Sequence, residues 1–333
     1  MTLSRRAILA APLAIAPTGS ARAGDFEARL ETAMGGKVGA AWALRAARRA
    51  IALAQGRADR LLRASGLSAG SVARRLRELS GREDYLYPDS DAGRDQAVSE
   101  MNATLERLAS RLRPVLGGLP ALPARVQRMS AADEAAGRGG YRIAPKGNEA
   151  GSYVVDLKAI RNRPSWTLPS VAFHEVDPGH LFQMTVPASG GQGVGPVQSP
   201  PALFEAWAIY AELLCSDLGA YRHDPLGEIG FLQWRLFRMG RIVADIGLNL
   251  LGWSQDEAVA TLTEIQGQSI AFITIEADVA RIATTPARYA AEGLGALRLE
   301  QQRPGVPYLW PRYHRAVLQG AGAPFGRLGA PSA

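Results

Sequence analysis

The sequence predicts a mainly α-helical chain with one small β-hairpin. Three observations lead there. Long stretches rich in Ala, Leu and Arg run without proline, above all 38–63, as helices prefer. Helix-start signals recur: Ser71 stands ahead of 72–79, and Ser254 with Glu257 three residues later has the pattern of a capping box. Only one pair of segments, 141–145 and 153–157, reads as strands, and turn-forming residues at 146–152 join them.

Taken in order, the first residues read as an export signal. Ser4-Arg5-Arg6-Ala7-Ile8-Leu9 resembles a twin-arginine motif, an apolar run follows over 7–16, and Ala21-Arg22-Ala23 suits a small-x-small cleavage site, so 1–23 is expected to be removed. The run is too short to span a membrane. The expected location is therefore periplasmic or extracellular, with no stable membrane span. Residues 24–118 read as an N-terminal helical region, with helices over 38–63, 71–79 and 95–116, the last ended by Gly117-Gly118-Leu119-Pro120. Residues 119–328 read as the region that bears the site. It opens with the hairpin, continues with a helix over 168–184 and a Gly/Pro/Ser-rich loop over 187–201, and then returns to helices at 204–218, 226–251, from 254, 269–284, 287–299 and 308–318.

Composition narrows the function. An apolar share of 47% suits a globular chain with a sizeable core. The net charge of +7 is almost wholly arginine, since Lys37, Lys146 and Lys158 are the only lysines. No basic run is interleaved with aromatics, which argues against nucleic acid as a partner. Cys215 is the only cysteine, so an internal disulfide and a thiolate metal cluster are both excluded. Its neighbours Leu213 and Leu214 point to a buried, inert thiol.

The chemistry concentrates in His174-Glu175-Val176-Asp177-Pro178-Gly179-His180. Two of the four histidines stand in one seven-residue window, and a glutamate follows the first. A zinc hydrolase needs three protein ligands, an open position for water and a base beside it. His174 and His180 supply imidazoles, and Glu175 is the candidate base. In a regular helix six residues advance about 600°, which leaves the two histidines facing apart. Pro178 removes an N–H and drives Asp177 out of the helical region, and Gly179 accepts unusual dihedrals. A bulge or turn between the histidines is therefore expected to re-aim His180. The segment Phe204-Glu205-Ala206-Trp207-Ala208-Ile209-Tyr210-Ala211-Glu212 sets Glu205 and Glu212 seven apart on one helix face. From the helix alone they are either a ligand with its supporting partner or the two ends of a solvated stripe.

The pattern His174-Glu175-x-x-Pro178-Gly179-His180-x-x-Gln183, followed by Glu205-x-Trp207-Ala208-x-Tyr210-x-Glu212, resembles the bacterial DUF885 family. That family is grouped with the zincin metallopeptidases of gluzincin type, alongside the M32 carboxypeptidases. The likeness covers roughly 65–328 and continues through 238–247, Gly252-Trp253-Ser254, Arg281, Pro286, Gly295 and 313–318. It implies a gluzincin-like helical fold with the hairpin beside the active-site helix. It also implies zinc held by His174, His180 and Glu205, water activated by Glu175, and support from Glu212. The hairpin would offer an edge strand to an extended peptide or peptide-like substrate.

The chain departs from the family pattern at two places. Asn249 stands where members carry a histidine. Pro286-Ala287-Arg288-Tyr289 replaces Pro-Gly-Gln-Ala, and Glu292 stands at a tyrosine position. If those groups bind substrate or an oxyanion, this protein differs in specificity or is weakened; Tyr289 or His314 would then substitute. The chain is also shorter than typical members in its N-terminal helical region, which implies a more open cleft.

The remaining candidates keep two readings each. His314 is either a satisfied helix histidine or a catalytic, substrate-facing one. Asp245 is expected to pair with Arg241 or Arg238 behind the site. Arg281 either holds a substrate carboxylate or pairs with Asp278. Trp234 and Trp253 read as core, and His223 as surface. The sequence thus supports an exported zinc metallopeptidase. The alternatives are a weak or inactive peptide- or envelope-binding scaffold of the same fold, or a zinc amidase or esterase.

Overall fold

The computed structural model describes residues 20–119, 122–146, 149–186, 200–270, 272–320 and 325. The twin-arginine motif at 4–9 and almost all of the 187–201 loop lie outside them, while residues 20–23 of the expected export segment fall inside the first helix. The architecture is mainly helical with one small sheet. The N-terminal helices are α1 (Ser20–Met34), α2 (Ala40–Ala64), α3 (Val72–Ser80) and α4 (Asp91–Val115). Ser71 and Ser90 accept from Arg74 N and Gly93 N, which satisfies orphan donors at the starts of α3 and α4.

The sheet holds β1 (Ala124–Arg128), β2 (Tyr141–Ile143) and β3 (Gly151–Val155), with the short helix α5 (Ala131–Ala135) between the first two. Strand order is β1-β3-β2. The expected hairpin is present: Tyr141 pairs with Val154 and Ile143 with Ser152, antiparallel. Sequence reading missed β1, which runs parallel to β3 with Ala124 opposite Gly151. Its residues Ala-Arg-Val-Gln-Arg bury only Val126, so no apolar alternation announced it. Asn102 of α4 accepts from the N–H of Val126 and donates to its carbonyl, at 2.9 and 3.0 Å, so a side chain meets the backbone of β1 on that side. The other edge, β2, faces the candidate site.

Beyond the sheet come α6 (Leu168–Glu175), α7 (His180–Thr185), α8 (Leu203–Asp217) and α9 (Pro225–Asn249). Then follow α10 (Gln255–Gln266), α11 (Ile275–Thr284), α12 (Arg288–Gln302) and α13 (Trp310–Gln319). The expected single helix over 168–184 is two helices, broken at 176–179. The helix expected from 269 starts at Ile275, because Thr274 accepts from Ala277 N and Ser269 Oγ accepts from Ile275 N. The Ser254–Glu257 capping box opens α10 as expected.

Helix α9 is the hub. It packs on α2, α6, α10, α11 and α12, and Phe231 to Trp234 and Leu236 to Gly247 are all buried. Burial on nearly every side places it in the core, and the charged residues it carries there, Arg238, Arg241 and Asp245, all find partners. Gly230 allows the closest approach: a Cβ there would stand 2.0 Å from the Trp166 carbonyl oxygen. Trp234 then donates its indole N–H to the Thr167 carbonyl at 3.0 Å. These contacts fix the turn from which α6 starts. The main core is continuous from Phe26 and Leu30 of α1 to Val317 of α13, so the N-terminal and site-bearing regions share it. Cys215 is buried within it, and burial pushes its thiol well above the ordinary range.

Asp245 does not pair with Arg241 or Arg238. Arg241 instead grips Asp278 of α11 through two bonds, 2.9 and 2.5 Å. Asp245 accepts from the N–H groups of Ala287 (3.0 Å) and Ala290 (2.9 Å), at the start of α12. The residue before α12 is Ala287, at φ 68°, whose methyl cannot cap. A carboxylate from a neighbouring helix supplies the cap and meets the positive end of the helix dipole. Asn249 donates to Asp245 at 2.9 Å and to the Ile282 carbonyl at 3.1 Å, so it braces this cap rather than facing a substrate. Replacing Asp245 with Ala should cost about 3 kcal/mol, since two buried N–H groups lose their acceptor at about 1–3 kcal/mol each. Urea unfolding of both proteins measures it, and an unmoved midpoint would refute the capping role.

Candidate metal centre

The site forms where α6, the break after it, α8 and α9 meet. At the end of α6 the chain turns through Val176, Asp177, Pro178 and Gly179, and α7 restarts at His180. Two features hold the turn. A Cβ on Gly179 would lie 1.9 Å from the His174 carbonyl oxygen and 2.5 Å from that of Phe173, so only glycine fits. Trp207 of α8 donates its indole N–H to the Pro178 carbonyl at 2.7 Å. Gly179 also has φ −74° and ψ −135°, outside the helical and extended regions, in line with the unusual dihedrals expected of it. The turn re-aims His180 as the sequence reading required: the two imidazole centroids lie 4.8 Å apart.

His174, His180 and Glu205 each offer a donor atom, all within 4.8 Å of one another. His174 Nε2 lies 3.3 Å from Glu205 Oε1, and His180 Nε2 lies 3.3 Å from Glu205 Oε2. Two ligands on a tetrahedral zinc, each 2.0–2.1 Å away, stand about 3.4 Å apart. Both histidine–Glu205 distances match that value, each to a different carboxylate oxygen, and the wider spread of up to 4.8 Å within the cluster would have to close around an ion. His180 adds a second argument. It is fully buried, and neither ring nitrogen has a hydrogen-bond partner. Burial pulls it down to about 4, with Glu205 opposing, so the ring is a neutral donor.

Glu212 stands behind His174. Its Oε1 meets His174 Nδ1 at 2.8 Å and its Oε2 accepts from Ser170 Oγ at 2.7 Å. The carboxylate requires the proton on Nδ1 and leaves Nε2 facing Glu205, an arrangement typical of metal-binding histidines. Of the two readings of the Glu205–Glu212 face, the solvated stripe is thereby removed for Glu212, which is buried. Burial and Arg238 press His174 down, but Glu205 and Glu212 outweigh them and hold it near 9. Burial opposes ionisation of Glu205, yet His174 and Arg238 keep its carboxyl well below the usual range.

Arg238 is the residue that sequence reading misplaced. Its Nη1 donates to Glu205 Oε1 at 3.0 Å, and Nη2 lies 3.2 Å from His174 Nε2. It supplies positive charge to the same two side chains that a metal would use, so a metal at His174 Nε2 requires Nη2 to withdraw. Glu175 is held from the sheet, where Arg142 of β2 donates to its Oε2 at 2.6 Å.

A cavity of about 420 Å³ opens over these groups, lined in part by His174, Glu175, Glu205, Arg281, Tyr289 and Glu292. Burial and the Glu205 charge push Glu292 up to about 7, against the pull of its Arg288 partner. A second cavity, about 580 Å³, lies between α1 and the start of α12 and shares Glu205, Arg288 and Glu292 with the first. Arg281 has no bond to Asp278, which Arg241 has taken. His314 does not line the first cavity. Its Nδ1 donates to the Val115 carbonyl and its Nε2 accepts from Tyr210 Oη, both at 2.7 Å. Burial pulls it down to about 4, so it is a neutral tie between α4, α8 and α13 and not a catalytic group. Replacing Gly179 with Ala should destabilise the fold by about 1–3 kcal/mol through overpacking. Denaturant melts check this, and a wild-type midpoint would refute the tight-turn account.

Two solved structures are similar in fold. One is "the putative lipoprotein from Colwellia psychrerythraea", with TM-score 0.79 and 24% identity, over 95% of this chain and 55% of that one. The other is "a putative lipoprotein of unknown function from Shewanella oneidensis", with TM-score 0.69 and 16% identity, over 92% and 58%. This chain therefore spans little more than half the length of either. No curated protein matches. A family of bacterial proteins of unknown function matches residues 7–328, well beyond the 65–328 expected from motifs, and the chain accordingly belongs to DUF885.

Proposed function

We propose that this protein is an exported zinc-dependent hydrolase of gluzincin type, and specifically a metallopeptidase. The observation that carries the proposal is the His174, His180 and Glu205 cluster, with both histidines 3.3 Å from the Glu205 carboxylate and neither ring nitrogen of the buried His180 hydrogen-bonded. Zinc held there would supply a Lewis acid that polarises the scissile carbonyl and acidifies water. The chain does the rest. Glu212 fixes the tautomer of His174. Glu175 takes a proton from the attacking water and delivers it to the leaving amine. Arg142 holds the Glu175 carboxylate through Oε2. The exposed edge of β2 gives an extended peptide a backbone to pair with. Export is supported by the twin-arginine pattern at 4–9 and by the lipoprotein names of the two similar structures. Among the described residues, no helix is long and apolar enough to cross a membrane.

Arg238 favours a second reading. Its guanidinium already neutralises Glu205 and approaches His174, as a metal-free peptide-binding scaffold would require. Metal content separates the two. The hydrolase reading expects close to one zinc per chain in the wild type and little in His180→Ala, measured by elemental analysis. A wild type that takes up no zinc even when incubated with it would give the scaffold precedence. Glu175→Gln should keep the metal and lower peptide hydrolysis by about 10²–10⁴-fold. Undiminished cleavage by that metal-loaded variant would overturn the assigned base.

A further inference from the structure

The charges around the first cavity do not balance locally. Five of its lining carboxylates have cationic partners. Glu175 has Arg142, Glu205 and Glu212 have Arg238, Glu292 has Arg288, and Asp156 has Lys158. Arg241 is committed to Asp278. Two further arginines line the cavity, Arg163 and Arg281. Among the described residues neither guanidinium has a hydrogen bond or an ion pair.

Arg163 is the more telling. It follows the short turn Ile160–Asn162 and is only 5% exposed. Its guanidinium nitrogens are not sealed from solvent, so it presents unpaired donors to the cavity, where an anion would complete them. Its charge is felt by the buried Tyr153 phenol, which lines the same cavity. Trp234 and Phe272, stacked at 6.0 Å, form an apolar wall there that strengthens any charge contact. Arg281, on α11, is exposed and stands free to meet an incoming group.

We propose that this part of the cavity is a carboxylate receptor, in which Arg163 and Arg281 bind the negatively charged end of the substrate. The term substrate rests on the hydrolase reading; the receptor itself requires no metal. The carboxylate has two sources, a peptide's free C-terminus or an acidic side chain. Guanidinium groups match a planar carboxylate through paired N–H donors, which makes arginine suited to either.

The test is equilibrium binding by calorimetry on the full purified chain, with cleavage of the same peptides followed separately by mass spectrometry. The probes are acetyl-trialanine with a free carboxylate, its C-terminal amide, and acetyl-Ala-Glu-Ala amide. The free acid, the glutamate peptide or both should bind at least about tenfold tighter than the neutral amide, the range expected for hydrogen bonds to a charged group. Preference for the first assigns the C-terminus, and preference for the second assigns an acidic side chain. Arg163→Gln and Arg281→Gln should each shrink that preference, with Arg163→Lys retaining more of it than Arg163→Gln. Arg281 is exposed, so its variant tests the receptor even if Arg163→Gln fails to fold. Equal binding of all three probes within about twofold, or a preference unchanged in Arg281→Gln and in a folded Arg163 variant, overturns the receptor. Binding preference without cleavage sinks the hydrolase reading alone, and cleavage without preference sinks the receptor alone.

Discussion

Everything at the candidate centre depends on how the chain turns between His174 and His180. A continuous helix would send the two imidazoles to different faces. The turn at 176–179 brings them within 4.8 Å, and it closes only because Gly179 has no side chain to meet the carbonyl of His174. The backbone thus packs against itself directly behind the first histidine. The Trp207 indole seals the turn by occupying the Pro178 carbonyl. Trp207 lies two residues from Glu205 on the same helix, so one element both clamps the turn and presents the third donor. The position of His180 is thereby tied to that of Glu205.

Around that turn the protein manages an unusual density of buried charge. Glu205, Glu212, Arg238, Arg241, Asp245 and Asp278 all lie in or beside the core, and none of them is left alone. Asp245 was expected to settle an arginine and instead caps α12; the arginine it was meant for crosses to Asp278. Charges on α9 therefore bind it to α8, α11 and α12 in three directions. Because α9 is also the apolar hub, the same helix sets the packing and the electrostatics of the centre.

Most of the long helices, the Ser71 and Ser254 caps, the hairpin and the interruption at Pro178-Gly179 were legible in the sequence, since each rests on local propensity or turn chemistry; α1, which runs across the expected cleavage site, was not. The pairing of His174 with His180 was legible in their motif, whereas Glu205 as their companion came only from the resemblance to DUF885, since its helix alone left a solvated stripe open. What escaped was long-range. β1 is polar, and its pairing with β3 is parallel, so no short-range signal marks it. The partners of Asp245 and Arg241 depend on which helices become neighbours, which one helix pattern does not record. His314 carried two readings, and only the approach of Val115 and Tyr210 decides between them. Arg163 gave no signal at all, because an arginine in a turn reads as surface until burial is known.

Glu205, Arg288 and Glu292 line both cavities, so two hollows share one charged wall. Each carboxylate in that wall is held by an arginine, Glu205 by Arg238 and Glu292 by Arg288. An occupant of one hollow that draws either pair apart therefore changes the charge that lines the other. What binds beside α1 is in this way felt beside α11 without the two occupants touching.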